Sequence, residues 1–157
     1  MTVSIEFGSG DFTGSKADVL ALIVTEGSFE KQRAFAELDE ALGGALAAHV
    51  ATAQFKGRLD DLLDLPTLGR LGARRIVLAG VGPRRGLGAT RLRSAIATAT
   101  RAAANVPALA LAFSEVMPAG ELRAVAEGVG LGAYTFTKYF TGERAPKKSL
   151  GTVTVHL

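Results

Sequence analysis

Val19-Leu-Ala-Leu-Ile-Val24 is a run of six apolar residues, bounded by Lys16 and Asp18 before it and by Glu26-Gly27 after it. A continuous apolar run of this length is typical of a strand that is buried on both faces of a sheet. Two similar runs follow, Arg75-Ile-Val-Leu-Ala-Gly80 and Pro107-Ala-Leu-Ala-Leu-Ala-Phe113. Because helical patterns separate these runs, the sequence predicts an α/β fold with a mixed, largely parallel sheet covered on both faces.

Helical periodicity is clear in three segments. Leu38, Leu42, Leu46 and Val50 recur every four residues and predict one amphipathic helix. The pair Gly43-Gly44 lies inside this helix, where we expect a close helix–sheet contact. A second helix is predicted from about Thr90 to Asn105, and a third opens at Pro118. The core face of the third helix is predicted to contain Leu122, Val125, Ala126 and Val129.

Two segments allow less direct predictions. Residues 52–68 are ambiguous, because Thr52 to Lys56 could form a strand and Asp60 to Leu68 could form a hairpin arm that ends at Pro66. Gly151-Thr-Val-Thr-Val-His-Leu157 alternates apolar and polar residues, which predicts a last, half-exposed strand. An edge left there would be exposed, so we expect the chain either to end abruptly or to continue.

The composition excludes several classes of protein. The chain has 157 residues, which fits one domain spanning 1–157. It has no cysteine, and this excludes disulfides, thiolate metal sites and a cysteine nucleophile. The first ten residues do not resemble a signal peptide, and the apolar runs are too short to span a membrane. These features are compatible with a cytoplasmic protein.

Basic residues are concentrated in the middle of the chain. Residues 56–101 contain ten basic and three acidic residues, a net charge of +7, whereas residues 1–55 contain three basic and eight acidic residues, a net of −5. One interpretation is a solvated face balanced by the acidic first third. The alternative is an anion or DNA surface. Its candidate contacts are Arg70, Arg74, Arg75, Arg84, Arg85, Arg91 and Arg93.

A glycine-rich turn follows the second strand and precedes the second helix. Such a turn can hold a phosphate, because backbone N–H groups point outward and glycine lets a ligand approach closely. The spacing departs from the dinucleotide fingerprint, since Arg85 stands where the third glycine is needed, and the ending of a triphosphate loop is also lacking. The candidate phosphate-loop residues are Gly80, Gly82, Gly86 and Gly88.

Residues able to carry out catalysis or bind a metal are not arranged in a known pattern. His49 and His156 share no metal-ligand spacing with each other or with nearby carboxylates. Glu37, Asp39 and Glu40 form a carboxylate cluster of the kind common on helix surfaces. We therefore predict no catalytic residue, no metal ligand and no cofactor in this chain.

A resemblance to a known family begins at Ala126-Glu-Gly-Val-Gly-Leu-Gly-Ala-Tyr-Thr-Phe-Thr-Lys-Tyr139. This stretch resembles the segment that closes the N-terminal domain of the leucyl (cytosol) aminopeptidase family. The strand and turn at Ile76 to Gly82 and the helix that follows are also similar, and the likeness extends in order from Val3 to Leu157. The family signature residues in this chain are Glu127, Gly128, Tyr134, Phe136, Lys138 and Tyr139.

The resemblance implies a macro-domain-like fold with three layers, α/β/α. In the family this domain precedes a larger catalytic domain, which supplies two divalent metals (Zn or Mn) and the catalytic residues. None of those catalytic motifs occurs in this sequence. The resemblance also implies a role in assembly, because members of the family are hexamers. It further implies DNA binding, because some bacterial members bind DNA.

Three hypotheses therefore stand beside one another. The first is the non-catalytic N-terminal domain of a metal-dependent leucyl aminopeptidase, with its own catalytic domain and further copies of itself as partners. The second is a DNA-binding module that uses the arginine-rich segment. The third is a nucleotide or ADP-ribose binder that uses the glycine-rich turn. No membrane partner is expected.

Overall fold

The computed structural model describes residues 3–8, 12–114, 122–133 and 150–156. Within these ranges, six strands form one sheet in the order β1-β6-β5-β2-β4-β3. Every neighbouring pair is parallel except β3 and β4, which are antiparallel. The strands are β1 (Ser4–Gly8), β2 (Val19–Val24), β3 (Leu62–Pro66), β4 (Arg75–Gly80), β5 (Ala108–Phe113) and β6 (Thr152–His156). The helices are α1 (Arg33–Ala41), α2 (Ala45–Ala53), α3 (Ala89–Ala102) and α4 (Leu122–Ala133).

The apolar run Val19–Val24 forms β2 and lies inside the sheet, as predicted. All six residues of β2 are buried, because β4 and β5 pair with its two sides and helices cover its two faces. Val19, Ala21 and Ile23 face a cluster that includes residues of α3 and α4. The alternate residues face a cluster that includes residues of α1 and α2. The prediction of a mostly parallel, three-layer α/β fold is confirmed.

The single helix predicted from Leu38 to Val50 is wrong, because the structure has two helices there. Gly43 and Gly44 have φ angles of +64° and +87°, a left-handed conformation that ends α1 before α2 begins. Asp39 Oδ1 accepts a hydrogen bond of 2.9 Å from Ala47 N and so satisfies a backbone donor in the first turn of α2. The expected helix–sheet contact is also wrong, since a Cβ on Gly44 would meet open space.

The ambiguous segment 52–68 follows the hairpin alternative. β3 pairs with β4 in antiparallel register, whereas Thr52 belongs to α2 and the strand alternative is therefore wrong there. The connecting turn is held by the hydroxyl of Thr67, which donates a hydrogen bond of 2.6 Å to the carbonyl oxygen of Ala73. Leu68 lies in this turn with a φ of +53° and is 86% exposed.

The last strand is interior, and the prediction that it leaves an exposed edge is wrong. β6 lies between β5 and β1, so its backbone groups are paired on both sides. The predicted half-burial is confirmed, because Val153 and Val155 are buried and the other three residues are partly exposed. The edge strand on this side of the sheet is β1, whose short and largely exposed pattern gave no clear signal in the sequence.

The predicted core face of α4 is half wrong. Val125 and Val129 are buried as expected, whereas Leu122 is 47% exposed and Ala126 is also exposed. The remaining buried positions of α4 are Ala124, Gly128 and Gly132. Small residues are buried there because α4 packs closely against α3, which begins and ends near the predicted bounds. The predicted start at Pro118 lies outside the described residues.

Candidate functional site

The carboxyl ends of the parallel strands are where an α/β sheet most often binds ligands. β2 leads to β4 on one side of the sheet, and β5 leads through α4 to β6 on the other side. The crevice between β2 and β5 is therefore the topological switch point. Thr25 and Ser114 follow these two strands and are buried. The Ser114 hydroxyl has no hydrogen-bond partner within the described ranges, and residues 115–121 lie outside them.

The glycine-rich turn after β4 borders this crevice, and its first half is attached to a neighbouring backbone. Gly82 N donates a hydrogen bond of 3.0 Å to Gly57 O, and Gly82 O accepts one of 2.9 Å from Glu26 N. A Cβ on Gly80 would overlap the Arg58 carbonyl oxygen and lie 2.5 Å from the Gly57 carbonyl carbon. Glycine is needed at position 80 because two backbone segments meet there.

The second half of the turn is crossed by the side chain of Arg91. Its Nη2 donates a hydrogen bond of 3.0 Å to the Arg85 carbonyl oxygen. Its Nη1 lies 2.7 Å from the place where a Cβ of Gly82 would stand. Gly86 has a φ of +78°, and Gly88 is the residue before α3. Packing thus accounts for Gly80 and Gly82 without a ligand, and phosphate binding by this turn stays a prediction.

The seven arginines predicted to contact DNA lie in three parts of the fold. Arg70, Arg74 and Arg75 lie before or at the start of β4, whereas Arg84 and Arg85 follow its end. Because six residues of a strand span about 17 Å, the two groups lie at opposite ends of the sheet. The other two arginines are on α3.

Several of these arginines already have acceptors within the domain. Arg70 Nη1 donates to the Leu42 carbonyl oxygen at 3.0 Å. Arg75 pairs with Asp64 and also donates to the Ala102 carbonyl oxygen at 3.0 Å. Arginines with internal acceptors have fewer donors left for phosphates, so DNA binding stays a prediction from the charge of this segment.

The residues of the proposed signature that the structure describes lie on α4. Glu127 forms ion pairs with Arg93 of α3 and with Arg123 of α4, both at 2.9 Å. A Cβ on Gly128 would lie 2.8 Å from the Arg93 carbonyl oxygen and 2.8 Å from Ile96 Cβ. Glu127 and Gly128 therefore join α4 to α3. The other signature residues lie outside the described ranges; they are Tyr134, Phe136, Lys138 and Tyr139.

Sequence reasoning missed a second glycine of this helix pair. A Cβ on Gly132 would lie 2.5 Å from the Ala97 carbonyl oxygen and 2.6 Å from Thr100 Cβ. Gly128 and Gly132 are four residues apart, so both lie on the same face of α4. This spacing was visible in the sequence, but it indicated neither which helix lies opposite nor how close that helix is.

The described part of the chain contains neither a cluster of metal ligands nor a membrane-spanning helix. No group of three or more His, Asp or Glu side chains comes together there in a way that could hold a metal ion. No helix in the described ranges is both long and apolar enough to cross a membrane.

Comparison with known proteins identifies the domain. The family model described as the cytosol aminopeptidase family, N-terminal domain, matches residues 21–142. The chain belongs to the cytosol aminopeptidase family. The chain is 37% identical over 127 residues to a probable cytosol aminopeptidase of Geotalea uraniireducens (strain Rf4), and the match covers 78% of this chain but 26% of that protein. The chain spans between 26% and 29% of the first three curated relatives that it matches.

Solved structures show the fold of the domain. A tomato leucine aminopeptidase mutant superposes with a TM-score of 0.82 at 21% identity, covering 99% of this chain and 32% of that one. The bottromycin maturation enzyme BotP in complex with Mn has a TM-score of 0.60 at 25% identity, covering 88% of this chain and 26% of that one. The macrodomain of Thermus aquaticus DarG has a TM-score of 0.67 at 11% identity, covering 99% of both chains, and this confirms the macro-domain-like fold.

Family membership gives the α4 residues their context. This cytosol aminopeptidase domain contains Glu127 and Gly128 at the contact between its two longest helices. Both residues act in packing in the described structure, and neither lies at the carboxyl ends of the strands. The domain thus has a close helix pair on one face of the sheet and a glycine-rich turn at the carboxyl end of β4.

Proposed function

We propose that this chain is the non-catalytic N-terminal domain of a metal-dependent leucyl aminopeptidase, whose remaining part removes N-terminal amino acids from peptides. The observation that carries this proposal is the match of an N-terminal-domain model to residues 21–142. It is supported by the share of the curated relatives that this chain spans, about a quarter of their length.

The assignment of catalysis to the remaining part is supported by the chemistry of the described residues. In the turn beside the switch point, Gly80 packs against backbone and the Arg91 side chain donates a hydrogen bond to a carbonyl oxygen. The described residues do not fit a metal site, since no three candidate ligands meet. We propose, as the family resemblance implies, that the two divalent metals, Zn or Mn, are bound by the other part of the enzyme.

The role proposed for this domain is assembly. Its partners would be its own catalytic part and further copies of the enzyme, in a hexamer located in the cytoplasm. Support comes from the family membership and from the apolar side chains that remain exposed on β1 and α4. No contact among the described residues favours DNA binding or ADP-ribose binding.

An activity assay tests the absence of catalysis. The 157-residue chain is incubated with leucine p-nitroanilide and Mn²⁺ or Zn²⁺, beside the full-length Geotalea uraniireducens relative as the positive control. We expect metal-dependent release of p-nitroaniline by the relative and none by the chain. Metal-dependent turnover by the chain alone would overturn the proposal.

The coding sequence tests the second part of the proposal. Reading the genomic DNA directly after the codon of Leu157 is expected to show an in-frame continuation that encodes a catalytic domain with metal-binding acidic residues. A stop codon at that place would contradict a single polypeptide and would leave only a separately encoded catalytic partner.

A further inference from the structure

The outer face of α4 has few charged residues for a helix on the surface of a domain. Leu122 and Leu131 are 47% and 55% exposed, and Ala126 and Gly130 are exposed as well. The two charged residues of the helix, Arg123 and Glu127, pair with each other, and Glu127 also pairs with α3. A helix that is apolar on more than its core face is typical of one that is covered on its other side.

Gly130 has no explanation within the described part of the domain. A Cβ at this position would meet nothing within 4 Å, whereas Cβ atoms on Gly128 and Gly132 would collide with α3. Glycine within a helix is destabilising relative to alanine. Gly130 therefore lowers the stability of α4 without avoiding a collision in the described domain. Ala126 and Gly130 lie one turn apart on the same side of α4, which allows a second helix to approach closely.

The neighbouring edge of the sheet is also apolar. Phe7 on the edge strand β1 is 58% exposed. It is opposite Val155 in the parallel register, so its side chain points to the face of the sheet that α4 covers. Leu122 begins α4 at the carboxyl ends of the strands, and Phe7 lies near the same end of β1. Apolar groups grouped in this way mark interaction surfaces.

The end of β6 lies next to this edge. His156 is opposite Gly8 in the register, and its ring atom Cε1 lies 3.1 Å from the place where a Cβ of Gly8 would stand. His156 therefore lies within one residue of Phe7 across the β1–β6 pair. In the curated relatives about three quarters of the protein lies outside the segment that this chain matches.

We propose that Phe7, Leu122, Ala126 and Gly130, which we name the α4–β1 surface, bind the catalytic part of the same polypeptide through a helix packed on α4. This inference rests on the proposed function and specifies its partner surface. The open space at Gly130 and the length of the relatives that lies outside the match together favour this occupant over a second copy of the domain.

A binding experiment tests the surface. The probe is the part of the Geotalea uraniireducens protein that lies outside its match to this chain, purified separately and titrated with the 157-residue chain in a calorimeter. We expect Phe7→Asp and Ala126→Arg each to weaken binding at least tenfold. The matched control is Leu68→Asp at the opposite edge of the sheet, where aspartate tolerates the positive φ; it is expected to bind as the wild type does.

Gly130→Ala separates an interface role from a structural one. Because the Cβ meets open space in the domain, this variant is expected to melt at a higher temperature than the wild type and yet to bind the probe more weakly. All variants are first compared with the wild type by circular dichroism and thermal melting. If either Phe7→Asp or Ala126→Arg does not fold, the binding test uses the other variant.

The outcomes distinguish the inference from the proposed function. If the wild-type chain binds the probe and the surface variants bind equally well, the α4–β1 surface is wrong and the proposed function stands. If the wild-type chain does not bind the probe, the inference is overturned, whereas the proposed function is tested independently by the activity assay and the coding sequence. If sedimentation of the chain alone shows a dimer that Phe7→Asp dissociates, the occupant is a second copy and the inference is overturned.

Discussion

The turn after β4 and the helix α4 are both rich in glycine, and the comparison of the two shows how differently one residue type is used. In the turn, Gly80 lets two backbone segments meet and Gly82 leaves room for the Arg91 side chain. In the helix, Gly128 and Gly132 bring α4 against α3, whereas Gly130 faces open space. The sequence offered a candidate phosphate loop at the first region and a family signature at the second. The contacts assign packing to Gly80, Gly82, Gly128 and Gly132 and leave Gly130 on the open side of its helix.

The largest effect is expected at Gly80. In Gly80→Ala the new Cβ meets the backbone of Gly57 and Arg58. This backbone belongs to a loop that three backbone hydrogen bonds join to Gly80 and Gly82, and it cannot move like a side chain. We expect the free energy of unfolding to fall by about 3 kcal/mol. Urea denaturation followed by circular dichroism measures this change. A fall in the free energy of unfolding below about 1 kcal/mol would show that the backbone around Gly80 can move to accept a Cβ.

The contact between α3 and α4 is expected to tolerate an added Cβ slightly better than the backbone around Gly80 does. Gly128→Ala and Gly132→Ala each place a methyl group against a carbonyl oxygen and a side-chain carbon of α3, and we expect each to lower the free energy of unfolding by about 2 kcal/mol. Helices can separate by a few tenths of an ångström, which relieves part of the overlap. Equal stability of these variants and the wild type would mean that the contact between α3 and α4 is not close.

A smaller effect is expected from the contact between Gly82 and Arg91. Gly82→Ala is opposed both by a φ of +83° and by the Arg91 guanidinium, and Arg91→Ala removes only the second of these. A double-mutant cycle is expected to show a coupling of about 0.5–1 kcal/mol, with Gly82→Ala less harmful when residue 91 is alanine. Additive effects would mean that the arginine moves aside freely.

The smallest effect has the opposite sign. Gly130→Ala is expected to raise the free energy of unfolding by about 0.5–1 kcal/mol, because alanine favours the helix and the described domain offers no obstacle to its Cβ. Thermal melting of this variant beside Gly128→Ala gives a direct contrast between two glycines on one helix. A fall in stability at position 130 would show that a neighbour already covers this face of α4.

Strand positions were predictable because burial on two faces demands continuous apolar runs. β4 and β5 were predicted to within one residue, and β2 was predicted at its observed bounds. The helix from Leu38 to Val50 was predicted as continuous because its apolar period continues through the break. Two helices joined by Gly43 and Gly44 keep all four side chains on one core, so periodicity alone does not reveal the break.

Residue types and their order were enough to determine the α/β class, the central place of β2, the lack of cysteine chemistry and the family to which the chain belongs. These properties depend on composition and short-range pattern. Only the tertiary structure decided that β6 is interior, that Asp39 caps α2 and that Gly80, Gly128 and Gly132 lie against backbone. Each of these depends on a partner distant in the sequence or beyond a helix break, and local patterns contain no information about what lies opposite.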